Sequence, residues 1–451
     1  MRRRPSLKVF LKPAIAIAGD EVLAEVLLTS KSVTPVDGLT LTLRGKEIIG
    51  DGKYVHYRRE IVAQRAAFGP FTLEKGEHRR ASRFPIPFDA TPSYAGRTIF
   101  VEYELDVHVA IPWWLDRRER FIIPVTRRGV DTPSAPARVF CNRTGRGSEL
   151  YIEATVDDQR VEQDGAISGA ISFANVSQVR IKRVELQFHA RETVGAPTPK
   201  WQLDAATYVS TILDRAPTEG ETARFRVRLP KNATVSFHTP HGRLDWFVAI
   251  VAIVSMGEDA RIELPIEIVP ATRGARRRRA ELPPVGHERR ALLLRAAAER
   301  LELEFTAERE ELRSVVASST IVIRLEPHEG KGLVAVAELT WPTLGLDLEL
   351  RERRWTDAFG EELELKDDAF RKRFYVRAGE SERASTMFDA DVRASFSSLT
   401  EVEIDDEGAV LARPISVQSV ETVVEDLRPT LAAARALAEA AARIAPTIGY
   451  R

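Results

Sequence analysis

Cysteine is almost missing from this sequence: Cys141 stands alone among 451 residues. No internal disulfide can close and no cysteine-based zinc site can form, which fits a cytoplasmic setting. Long apolar runs are missing too. The longest, Trp246 to Val254, is too short for a bilayer-spanning helix and reads as a buried strand. Net charge is absent, with 66 Lys and Arg against 66 Asp and Glu, so the whole molecule lacks the basic footprint of a nucleic-acid binder. The balance is uneven along the chain. Residues 1–130 hold 22 Lys and Arg against 15 Asp and Glu. That excess favours an anionic partner or peripheral membrane association, or is simply a solvated surface.

Motifs of chemistry are lacking as well. There is no Gly-x-Ser-x-Gly elbow, no dinucleotide fingerprint and no phosphate-cradling Gly-rich loop, and Gly330-Lys-Gly332 reads as a turn between strands. The single cysteine has no histidine positioned beside it in sequence. No cofactor and no enzymatic activity are expected on these grounds.

What is present is a soluble globular composition, 44% apolar and 29% charged, on a chain too long for one hydrophobic core. Arg2 to Arg4 followed by Val9, Phe10 and Leu11 mimic a signal peptide, but Lys12 and Pro13 interrupt the apolar stretch, and its alternation predicts an edge strand. Alternating β-rich runs continue to about Pro270, among them Val22 to Leu28, Phe100 to Val109, Ile167 to Phe173 and Phe225 to Leu229. Short strands at this spacing predict β-sandwiches.

The pattern also occurs twice. Asp20 before one strand is matched by Asp164 before another, and Leu39 to Glu47 is echoed by Val184 to Glu192. Phe84-Pro-Ile-Pro87 meets Val227-Arg-Leu-Pro230, and Val101 to Val109 meets Leu244 to Val254. The near-constant offset predicts two copies of one sandwich, each sealed around its own interior. Between them, Pro133, Pro136, Gly145 and Gly147 suit a linker.

These residues, with Ser93-Tyr-Ala-Gly-Arg97 ahead of Ile99 to Leu105 and the Pro112-Trp-Trp-Leu-Asp116 turn, resemble the arrestin superfamily, specifically the bacterial arrestin-like and sporulation-control proteins. The resemblance covers residues 5–270. It implies two curved, immunoglobulin-like antiparallel sandwiches joined by a hinge and used as a cytosolic adaptor or scaffold. Lys8 and Lys12, four apart on the first strand, share a face. In the resembling eukaryotic proteins basic residues on that strand receive phosphates. The alternative is that edge-strand lysines here block aggregation. The buried charged cluster that locks those relatives has no residue-by-residue counterpart legible in this sequence.

Beyond Arg273 and Arg276 to Arg279, read as a solvated linker run, the composition changes. Glu288 to Arg300 predicts a helix, and Leu301 to Phe305, Ile321 to Leu325, Leu333 to Leu339, Leu346 to Leu350 and Arg373 to Arg377 predict strands. A helix over Glu382 to Phe396 capped by Ser381, a hairpin turning at Asp405-Asp-Glu-Gly408, and a last helix begun or kinked at Pro429 complete an α+β domain.

The remaining candidates have ordinary explanations beside them. His238-Thr-Pro-His241 with Asp245 has ligand-like spacing, but Pro240 keeps the pair off a helix and no third histidine is near. Asp405, Asp406 and Glu407 form an acidic cluster without calcium-loop spacing, so no metal is expected there. Trp113 and Trp114 are adjacent at a strand end, where both cannot face the core of an extended strand. Either one is exposed as a binding anchor, or the turn folds both over an edge of the sandwich.

The reading is therefore mainly β. It places an arrestin-type sandwich at 1–130, a linker at 131–149, a second sandwich at 150–270, a basic proline-containing linker at 271–286, and a smaller α+β domain of unassigned role at 287–451. The expected function is non-enzymatic binding of a protein partner, with Lys8, Lys12, Trp113 and Trp114 as contact residues, no nucleic acid and no transmembrane segment. Alternatives are a carbohydrate or small-ligand binder stacking on Trp113, Trp114 or Trp201, and a hydrolase hidden in the last domain.

Overall fold

In the computed structural model the described residues are 5–50, 54–112, 116–129, 138–142, 149–195, 201–271, 282–328, 332–354, 357 and 362–445. The chain is mainly β, 54% strand and 16% helix. The first part contributes β1 (Ser6–Lys12), β2 (Ala16–Ile17), β3 (Glu21–Ser30), β4 (Thr34–Val36), β5 (Gly38–Gly50) and β6 (Val55–Phe68). It continues with β7 (Phe71–Leu73), β8 (Gly76–Pro85), β9 (Tyr94–Ala95), β10 (Ile99–Ala110), β11 (Arg117–Ile122) and β12 (Val125–Thr126). The second contributes β13 (Val139–Cys141), β14 (Tyr151–Val156), β15 (Arg160–Glu162), β16 (Ala166–Ala174) and β17 (Ile181–Val194). After these come β18 (Trp201–Leu213), β19 (Thr222–Arg228), β20 (Phe237–His238), β21 (Gly242–Val254) and β22 (Ala260–Val269).

Among the described residues the same ladder order appears twice. One sheet runs β11-β10-β5-β6 with β9 on β10, and its counterpart runs β22-β21-β17-β18 with β20 on β21. The facing sheets are β1-β3-β8 and β13-β14-β16-β19. Even the short parallel contacts repeat, β2 on β12 and β15 on β22. Registers match at the sequence landmarks: Val22 pairs Phe84 as Ile167 pairs Val227, and Glu47 pairs Val101 as Glu192 pairs Leu244.

Period-2 patterning explains these strands. Ile99, Val101, Tyr103, Leu105, Val107 and Val109 of β10 are all buried on one face, each side chain contributing about 1.5–3 kcal/mol through removal of apolar surface from water. Among the described residues no ladder joins the two copies, yet their buried side chains form one continuous cluster from Leu7 to Ile268. This differs from the expectation of two separately sealed interiors. The cause is at the junction, where Tyr94 packs edge-on against Phe237 at 5.1 Å and Gly242 leaves space filled by Ile99. Cys141 also differs: the described end of the expected linker is β13, which pairs with β14.

The third part opens with helix α1 (His287–Leu301). Its strands are β23 (Glu304–Thr306), β24 (Glu311–Val316), β25 (Ser319–His328), β26 (Gly332–Thr340), β27 (Glu349–Glu352), β28 (Phe374–Arg377), β29 (Glu401–Asp405) and β30 (Gly408–Pro414). They form one antiparallel sheet ordered β23-β24-β25-β26-β30-β29-β27-β28. The other helices are α2 (Asp368–Arg373), α3 (Ser381–Met387), α4 (Ala390–Ser395) and α5 (Val420–Ile444). Helix α5 packs on the central strands, α1, α3 and α4 pack on α5, and the whole has its own buried cluster.

Three local expectations change here. Leu301 ends α1 and does not begin a strand, because Glu302 turns the backbone left-handed. The single helix expected over Glu382 to Phe396 is two, separated where Asp389 caps the second by accepting from the Val392 N–H, and Ser381 is a helical residue, not a cap. Helix α5 does not begin at Pro429 but runs through it, started by a Ser419 and Thr422 capping box. No helix among the described residues is long and apolar enough to cross a membrane.

Candidate functional site

Strand β1 is one edge of the β1-β3-β8 sheet. Alternation turns Leu7 inward and leaves Lys8, Phe10 and Lys12 exposed on the opposite face. Register then builds two rows across the sheet. Lys8 pairs Leu27, which pairs Arg79; Lys12 pairs Leu23, which pairs Arg83. Phe10, 46% exposed, lies in the row between them, opposite Glu25. Glu25 stands 3.9 Å from Lys12 and Glu21 stands 3.3 Å from Arg83. Among the described residues no carboxylate pairs with Lys8 or Arg79. The result is a basic face with an exposed ring, bordered by a strand edge whose backbone groups have no ladder partner among the described residues.

A second constellation lies where the sandwiches meet. The Glu192 carboxylate, fully buried on β17, reaches the loop before β10 of the other copy. There it accepts from Tyr94 Oη at 2.7 Å, Arg97 N at 2.9 Å, Thr98 N at 2.7 Å and Ile99 N at 3.1 Å, and from the Thr98 hydroxyl. Burial and the Glu192 carboxylate together push the Tyr94 hydroxyl well above its ordinary value. Its counterpart Glu47 makes the reciprocal reach toward Thr239, in the loop before β21. Only one Glu47 oxygen is engaged; the other is buried with no hydrogen-bond partner among the described residues. Tyr57 against His241 at 4.0 Å and His56 against Trp201 at 5.7 Å close the rim.

The predicted contact residues separate accordingly. Lys8 and Lys12 are brought together with Arg79 and Arg83. Trp113 and Trp114 lie outside the described residues, as do Arg273, Arg276 to Arg279, Gly330 and Lys331. Trp201, partly exposed, meets His56 in a T-shaped contact. His238 pairs with Asp245 at 3.3 Å while His241 stacks on Tyr57, so the two imidazoles serve different neighbours. In the acidic hairpin, Asp405 accepts from Glu407 N and Gly408 N, and Asp406 from Leu346 N and Asp347 N, which occupies these carboxylates in holding backbone. Cys141 lies beside the Tyr151 hydroxyl at 3.2 Å, and burial pushes its thiol up, away from the nucleophilic thiolate.

Sequence reasoning used Glu47 and Glu192 only as repeat landmarks. The signal for more was present: Leu39, Leu41, Leu43, Glu47 and Ile49 share one parity, as do Val184, Leu186, Phe188, Ala190 and Glu192. An acid on the core-facing parity of a strand needs buried donors. Arg79 and Arg83 were missed because only register, not spacing, places β8 beside β3.

Compared with known proteins, the chain matches no family model and no curated protein.

Proposed function

We propose that this protein is a cytosolic, non-enzymatic adaptor of the arrestin-like kind, whose first sandwich holds an extended acidic segment of a protein partner. The observation that carries the reading is the β1 edge, where Lys8 and Lys12 flank exposed Phe10 and continue into Arg79 and Arg83. An extended peptide would add to the edge through main-chain hydrogen bonds, its alternate side chains meeting these cations and the ring. Charge complementarity would supply orientation and on-rate more than affinity.

The test is peptide display against the purified full chain, followed by titration at several salt concentrations. Acidic extended sequences should be enriched, their affinity should fall as salt rises, and the Lys8→Glu, Lys12→Glu double variant should abolish binding. Enrichment of neutral sequences indifferent to that double reversal would remove this reading.

A further inference from the structure

Where the second sandwich meets the third part of the chain there is a cavity of about 510 Å³. It is a partly open cleft whose volume is within the range that accommodates small organic ligands. Its apolar walls come from two separate units: Phe173 and Ala174 from β16 on one side, Leu325, Pro327, Leu333 and Val417 on the other.

The charged groups around it are already engaged within the protein. Glu153, buried on β14, accepts from Arg289 Nη1 at 2.6 Å, Tyr151 Oη at 2.6 Å and Gly286 N at 2.8 Å. The bond to Gly286 N ties the residue that precedes α1 to β14. Arg289 also donates to the carbonyls of Val417 and Gln418. Glu219 accepts from the backbone N–H groups of Asn175 and Val176. At the mouth, Arg290 and His287 both face Glu310, at 2.8 and 3.3 Å.

Each cation and carboxylate of the lining thus has its partner within the protein, and an ionic ligand would have to break a pair to be held. We propose that this cavity is a binding site for an uncharged, largely apolar small molecule, which by touching both walls fastens the third part of the chain to the second sandwich. The site is independent of the peptide edge on β1.

The experiment titrates the full chain with the uncharged naphthalene dye prodan and, in parallel, with the anionic dye anilinonaphthalene sulfonate, following emission. Prodan should saturate a single site and bind about tenfold or more tightly than the anion. Ala174→Phe and Leu333→Trp, which fill the cavity from opposite walls, should each weaken prodan by about tenfold or more. Photolabelling of the unmodified chain with benzophenone, which needs no variant to fold, should place adducts on peptides containing Phe173, Leu325 or Leu333. Any of four results overturns the proposal: no saturable prodan binding, equal or tighter binding of the anion, unchanged affinity in both correctly folded filled variants, or adducts confined to other parts of the chain.

Discussion

The two sandwiches place glutamates at equivalent positions, Glu47 opposite Val101 and Glu192 opposite Leu244, and give them unequal surroundings. Glu192 meets five donors from the other copy, whereas one oxygen of Glu47 is buried without a partner among the described residues. The asymmetry follows from the loops they face. Arg97, Thr98 and Ile99 present consecutive N–H groups to Glu192, while the corresponding loop of the second copy has Pro240, which has no N–H to offer, and turns its backbone onto the Thr239 side chain. Both copies carry the acid; the loop sequence decides whether it is satisfied. A buried group stabilises only when its partners are complete.

Substitution can break this contrast most strongly at Glu192. Glu192→Ala should destabilise by about 3–4 kcal/mol in urea unfolding, because three backbone N–H groups and the Thr98 hydroxyl lose their acceptor. A change under half that size would mean the junction is wet. Gly96→Ala comes next. A Cβ there would collide with Glu192 Oε1, and five hydrogen bonds keep that carboxylate from yielding, so about 1–3 kcal/mol should be lost to overpacking. Thermal melts of the two single variants and the double variant would show whether both act through the same carboxylate.

Glu47→Leu sharpens the comparison in the other direction. Removing a buried oxygen that lacks a donor should leave stability within about 1 kcal/mol of the wild type, or raise it. A loss comparable with that at Glu192 would refute the asymmetry.

The smallest effect belongs to the turn before β19, where the Arg215 guanidinium beside Glu221 pulls its carboxyl from 4.5 down to about 2. In the first copy the register puts His78 of β8 at the equivalent position, so this carboxylate has no counterpart there. Because the folded value is depressed, the stabilisation is present above the unfolded value and is lost as pH falls from about 4.5 toward about 2. Arg215→Gln should therefore melt slightly below the wild type at neutral pH, the gap closing in acid. A gap that stays constant with pH would assign the effect to packing.

Much of the architecture was legible in residue order. Alternation in β10 and β17, the matched landmarks and the hairpin at Asp405 follow from local preference and period, and each appears where the pattern placed it. Helix ends were less legible: Glu302 and Asp389 act through one backbone conformation and one side-chain bond, too local for a periodic signal. For the candidate sites, Lys8 and Lys12 were visible because they share a strand, but Arg79 and Arg83 join them only through pairing across β3.

By itself the sequence determined that strands would dominate the first two thirds, that one module occurs twice, and which faces turn inward, since side-chain parity and turn chemistry are properties of neighbouring residues. Only tertiary structure decided that the copies share a continuous core, that Glu192 is satisfied and Glu47 is not, and that Phe173 faces Leu333 across a cavity. Those outcomes depend on which distant surfaces come into contact, and hydrogen-bond completion and void volume exist only once they do.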